Sequence, residues 1–119
     1  MDLMYKAGTN ADCGAPLCCR EEFGYPNGDQ RAAGEWGTVA ACDMPPKTIQ
    51  NVLEHIRDDI NPDLLFWTGD NNAHNVWENT GDEITEYMNV ASNMIKDVFD
   101  QTKTTILPIQ GNHDTYVVD

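Results

Sequence analysis

Basic residues are scarce in this chain. Seven lysines and arginines stand against twenty aspartates and glutamates, a formal net charge of −13 over 119 residues. General nucleic-acid binding needs a basic surface that displaces counterions from phosphates, and this balance excludes it. Long apolar runs are also missing, so no stretch reads as a helix able to cross a membrane. There is no internal repeat and no low-complexity tract. Histidine is confined to His55, His74 and His113.

The length permits one small domain. Residues 1–43 form an irregular segment, punctuated by glycine and proline and with little periodicity. Beyond it the pattern becomes regular. A helix is predicted over Pro46–Ile60, with Ile49, Val52, Leu53, Ile56 and Ile60 on its inner face. The prolines suit its first turn, and Asn61-Pro62 ends it. Leu64-Leu65-Phe66-Trp67 and Ile106-Leu107-Pro108-Ile109 read as strands. Between them, Thr80-Gly81-Asp82-Glu83 has the spacing of a capping box. Ile84, Tyr87, Met88, Ala91, Ile95, Val98 and Phe99 then recur at helical spacing. Strand, helix, strand predicts a parallel pair. Both strands read as buried on both faces, like strands of a sheet covered by helices. Two strands cannot complete such a sheet, so partner strands are expected elsewhere.

Each strand runs into a polar motif. Gly69-Asp70 follows the first, and Gly111-Asn112-His113-Asp114 follows the second. Parallel strands put their C-terminal ends on one edge, where open α/β sheets bind ligands, so Asp70 and Asn112 are predicted neighbours. Carboxylate, amide oxygen and imidazole suit hard or borderline divalent ions, and a carboxylate can bridge two of them. A two-metal phosphoesterase needs that combination. The plainer alternative makes Asp70 a turn residue and Asn112-His113 ordinary loop polarity. His74 lies in the polar loop Asn71–Asn79 and is a second candidate; the plainer reading has it capping the loop or packing on Trp77. His55, on a helix away from both motifs, reads as solvent-facing.

Cys13, Cys18, Cys19 and Cys42 make an even set with three possible pairings. A bond between neighbours Cys18 and Cys19 would be strained, which leaves two. Disulfides point to the secretory route. A Cys₄ zinc site is the alternative, but adjacent cysteines sit awkwardly in one tetrahedron.

The motifs together resemble the calcineurin-like metallophosphoesterase superfamily and, within it, the acid sphingomyelinase family. Asp12-Cys13, Pro16-Leu17-Cys18-Cys19-Arg20, Trp36-Gly37 and Cys42-Asp43 carry the narrower match. Phe66-Trp67-Thr68-Gly69-Asp70, Ala73-His74-Asn75-Val76-Trp77 and Gly111-Asn112-His113-Asp114 complete it. Asp114 stands where that family often has Glu. The resemblance implies an α/β fold, part of a β-sandwich flanked by helices. Residues 1–119 would be a partial catalytic domain: a disulfide-rich segment over 1–43 and a helix-strand-helix-strand half of the metal site over 44–119. It also implies the pairings Cys13–Cys18 and Cys19–Cys42.

The activity implied is hydrolysis of sphingomyelin to ceramide and phosphocholine at two divalent metals, zinc in that family. Asp70 would bridge the metals and Asn112 would ligate one of them. His113 would stabilise the transition state, and His74 would protonate the departing alkoxide, as a histidine can at mildly acidic pH. The superfamily's opening Asp-x-His is absent. Asp2-Leu3-Met4-Tyr5 resembles the segment just after it; read as the motif itself, it would put a poor thioether ligand, Met4, in place of the imidazole. Later Gly-His ligands would lie beyond Asp119. About half a centre is therefore expected, inactive in isolation, within a longer secreted or lysosomal protein whose leader has been removed. The acidic balance suits a lysosome, although a solvated surface explains it equally well. The substrate would be a phospholipid or another phosphodiester, such as the nucleotides or lipids cleaved by sphingomyelinase-like cousins, with room for peripheral membrane contact by the full protein. A secreted, disulfide-stabilised binding module without turnover is the competing class.

Overall fold

The structure, a computed structural model, describes residues 1–116. The chain divides into two units. One comprises Met1–Ile49 and Ala73–Asn75, the other Gln50–Asn72 and the chain from Val76 onward.

The first unit has little regular structure, as its glycines and prolines predict. Its described pieces are a 3-10 turn at Glu21–Phe23, two isolated antiparallel bridges (Tyr5 with Arg20, Asn10 with Ala32) and the start of helix α1 (Pro46–His55). Cross-links and buried polar contacts take the place of a ladder. Cys13 bonds Cys18 and Cys19 bonds Cys42, the pairing the resemblance implied. Cys19 adopts a left-handed backbone, φ 64°, uncommon outside glycine. It is fully buried with Ala11 and Ala33, and Tyr5, Ala40 and Cys42 pack against that cluster. The Tyr5 hydroxyl donates to the Gly34 carbonyl at 2.7 Å, which lets an aromatic ring enter the cluster with its polar end satisfied.

A buried ion pair crosses this unit. Arg20 donates through Nε to Asp2 Oδ2 at 2.8 Å and through Nη2 to Oδ1 at 3.1 Å. The Met4 amide also donates to Asp2 Oδ1, while the Met4 side chain is exposed. With Asp2 committed to these partners, neither residue is arranged as a metal ligand.

In the second unit, α1 continues into one π-helical turn, Ile56–Ile60, closed by the left-handed Asn61, whose amide donates to the Ile56 carbonyl. The predicted inner face is only partly covered. Leu53 is buried, but Val52 and Ile60 are exposed. Strand β1 (Leu64–Trp67) pairs in parallel with β2 (Thr105–Pro108), Leu64 opposite Thr105 and Trp67 opposite Pro108. Helix α2 (Gly81–Val98) connects them, and the Thr80–Glu83 capping box forms as predicted. Ile84, Tyr87, Ala91, Ile95, Val98 and Phe99 are buried, and Met88 is half-buried.

One expectation fails. The strands are not buried on both faces: Phe66 is 59 % exposed and Leu107 43 %. Their apolarity is that of interior strands, but two strands and one crossover helix supply no layer for the second face. Mixed α/β structure with a parallel pair and two disulfides is what the described residues contain.

Replacing Cys19 and Cys42 by serine opens a 23-residue separation, and stability should fall by about 3 kcal/mol in the chain-entropy description, measured by denaturant unfolding. Arg31, through its side chain and then its backbone amide, holds the Asp12 carboxyl at about 2, against an ordinary 3.8. The folded state thus binds its proton less readily than the unfolded chain. Asp12 contributes stability that is complete above about pH 4 and is lost as the pH falls towards 2. Asp12→Asn should flatten that acid limb in a thermal-melt series, and an unchanged limb would refute it.

Candidate functional site

The parallel pair carries the site residues on its C-terminal edge. The ladder runs one step past the strands, where the Ile109 amide donates to the Trp67 carbonyl at 2.7 Å. The two loops then approach until their backbones touch. Gly69 has φ +81°, and a Cβ there would collide with the Gly111 backbone and with Asp114 Oδ2. A Cβ on Gly111 would strike the Asp70 amide and carboxylate. Both glycines are therefore required by contact, and Gly69 also by conformation. Asp70 follows in the left-handed region with φ 55°, a strained state that persists where surrounding bonds hold it.

Asp114 supplies those bonds. Its buried carboxylate accepts from the Asp70 amide (2.8 Å), the Asn71 amide (2.8 Å), Asn71 Nδ2 (3.0 Å) and the Gly111 amide (2.9 Å). A second link runs between the loops: the His113 amide donates to Asp70 Oδ1 at 3.0 Å. Asn72 Nδ2 donates to the His113 carbonyl, and Trp67 Nε1 donates to Asn71 Oδ1 at 2.8 Å. Asn71 and Asn72 are buried while Asp70 and Asn112 are exposed. The loop thus turns its structural amides inward and leaves the predicted ligand atoms in the open.

The donors fit divalent-metal chemistry in part. Asp70 carboxylate, Asn112 carboxamide and His113 imidazole are carried by two interlocked loops, and such oxygen and nitrogen donors suit borderline or hard ions. Behind them, Asn72 Oδ1 is buried with no hydrogen-bond partner. Among the described residues no three His, Cys, Asp or Glu side chains cluster closely enough to hold a metal.

His74 belongs to the first unit. Its partner is Asp43, which accepts from the His74 amide at 2.6 Å and meets Nδ1 at 2.5 Å. His55 is exposed on α1 beside Asp59 Oδ2, in keeping with a solvent-facing position. Sequence reasoning assigned no role to Asp43 or to the clamp made by Asp114. The Gly-Asn-His-Asp quartet contained Asp114, but only contact with Asn71, 43 residues earlier, distinguishes a clamp from a ligand. Asp43 carried no spacing signal.

Asp114→Ala would strand three backbone amides and Asn71 Nδ2. Each unsatisfied buried donor costs about 1–3 kcal/mol, and water will offset part of this. A net loss of about 2–4 kcal/mol in unfolding free energy is expected, with Asp114→Glu less damaging. A loss below about 0.5 kcal/mol would rule out the clamp.

The chain is similar to known proteins along its length. A family model described as calcineurin-like phosphoesterase matches residues 31–119. Sphingomyelin phosphodiesterase B of Dictyostelium discoideum is 39 % identical over 121 residues, covering 100 % of this chain. The sphingomyelin phosphodiesterases of Bos taurus and Homo sapiens are each 31 % identical over 115 residues, or 97 % of the chain. The chain spans 18 % of the length of each of these relatives. Divalent metal ions are what this family implies. From its motifs and from this match, the chain belongs to the calcineurin-like phosphoesterase family.

Proposed function

We propose that these residues form the Asp70–Asn112 half of a binuclear centre in a phosphodiesterase that cleaves sphingomyelin to ceramide and phosphocholine. The interlocking of the two loops carries this reading: the His113 amide bonds Asp70 Oδ1, and Asp114 ties both loops together. The relatives named sphingomyelin phosphodiesterase support the substrate class. In this reading the two strands belong to one sheet of a β-sandwich completed by a longer chain.

Asp70 and Asn112 would hold the metals, zinc by resemblance. Bound there, divalent ions would offset the phosphodiester's charge and make a water nucleophilic near neutral pH. His113 would donate to a phosphoryl oxygen as negative charge develops. His74, four residues after Asp70, would protonate the departing alkoxide. Two disulfides support a secreted or lysosomal location. No described helix is long and apolar enough to cross a membrane, and contact with the lipid surface would be peripheral.

The test is Asp70→Asn in the full-length protein. Sphingomyelin hydrolysis should fall by more than about 100-fold, beyond the effect of losing a supporting residue around a metal, with reduced bound metal by elemental analysis. Wild-type turnover in that variant would remove Asp70 from the centre.

A further inference from the structure

We propose that Asp43 is the positioning residue for His74, fixing which ring nitrogen faces the leaving group. The inference rests on the reading of His74 as the proton donor and adds a residue to it.

The geometry is specific to one carboxylate and one residue. Oδ2 of Asp43 accepts the His74 backbone amide at 2.6 Å, and Oδ1 meets the Nδ1 of the same residue at 2.5 Å. Two attachments, one to the main chain and one to the ring, restrict both the position and the rotation of the imidazole. Burial is divided accordingly: the Asp43 side chain is 13 % exposed and the His74 side chain 71 %. The carboxylate is part of the support, and the ring projects from it.

Both ends of this contact are anchored within the first unit. Asp43 follows Cys42, which is bonded to Cys19, and precedes Met44, whose carbonyl accepts the Asp2 amide at 2.9 Å. On the other side Ala73 is fully buried, and Asn75 Oδ1 accepts from Arg20 Nη2 at 3.3 Å. Arg20 is held in turn by Asp2. The residues flanking His74 are thus fixed before the ring is considered.

A carboxylate can only accept. Facing Nδ1, it requires the proton there in the neutral ring, so Nε2 is the nitrogen that gains and gives the second proton. In the reaction, water oxygen bonds to phosphorus and the bond from phosphorus to the leaving oxygen breaks. The electron pair stays on that oxygen, which takes the proton from Nε2. The proton lost by the water returns through solvent to the ring. The Asp43 carboxylate stabilises the imidazolium before transfer.

The experiment compares two substrates of the full-length protein. Sphingomyelin releases an alkoxide that needs a proton, whereas p-nitrophenyl phosphocholine releases a phenolate that does not. Asp43→Asn keeps an acceptor for the His74 amide and removes the charge. It should lower kcat on sphingomyelin by about 10- to 100-fold, part of the 10²–10⁴ a positioned acid supplies, and alter the activated ester by less than about threefold. His74→Ala should show the same split more strongly, and the double variant should be no worse than His74→Ala alone. Equal losses on both substrates, no loss on either, or additive losses would overturn the proposal for Asp43. If Asp43→Asn does not fold, Asp43→Glu replaces it; it keeps the charge but displaces it by one methylene, and a smaller split in the same direction is expected. Absence of a split in His74→Ala would instead sink the donor reading, and the proposal with it.

Discussion

The carboxylate of Asp114 is the constraint on which the site depends. Four donors converge on it, three of them backbone amides from loops that end different strands. Backbone amides around an anion form a compact, rigid arrangement, and bonds to a charged acceptor are stronger than neutral ones. With the clamp in place, Asp70 can occupy a left-handed conformation that few residues but glycine adopt freely. Gly69 and Gly111 are consequences of the same closeness, since any side chain at either would separate the loops. The predicted metal ligands are therefore held by a residue that is not predicted to touch the metal.

The first unit solves a different problem by different means. It has no helix or sheet of its own large enough to make a core, and its buried cluster is small. Covalent links and a buried arginine–aspartate pair hold the chain instead. A buried pair of this kind is not a large net source of stability, because desolvating both charges offsets much of their attraction, but removing one partner strands the other. Its value lies in specifying one arrangement. Arg20 reaches both Asp2 and Asn75, so residues far apart in sequence are fixed around the loop that presents His74.

The second unit leaves apolar faces of its strands uncovered. Its strands have the composition of interior strands, yet Phe66, Leu107 and Ile109 lie open, as do Val52 and Ile60 near α1. Burying such side chains is worth about 25 cal/mol per Å² of apolar surface. The described residues contain no layer to do so. The chain spans 18 % of the length of the relatives it matches.

Much of this was legible in the sequence. The capping box, the apolar face of α2, the parallel order of β1 and β2 and the approach of Asp70 to Gly111 and His113 all follow from local periodicity and from the geometry of a strand–helix–strand crossover. The cysteine set pointed to disulfides, but spacing alone left two pairings open, and it took folding to choose between them. What only tertiary structure decided is what carboxylates and exposed faces do. Asp2, Asp43 and Asp114 are chemically identical, and the motifs that contain them do not say which partner each will meet. One is buried against Arg20, one holds His74 and one clamps two loops, because each role depends on partners between 18 and 44 residues away. Sequence periodicity reports which side chains share a face; it does not report which distant donor an acceptor will meet, or whether a second layer exists to cover a strand.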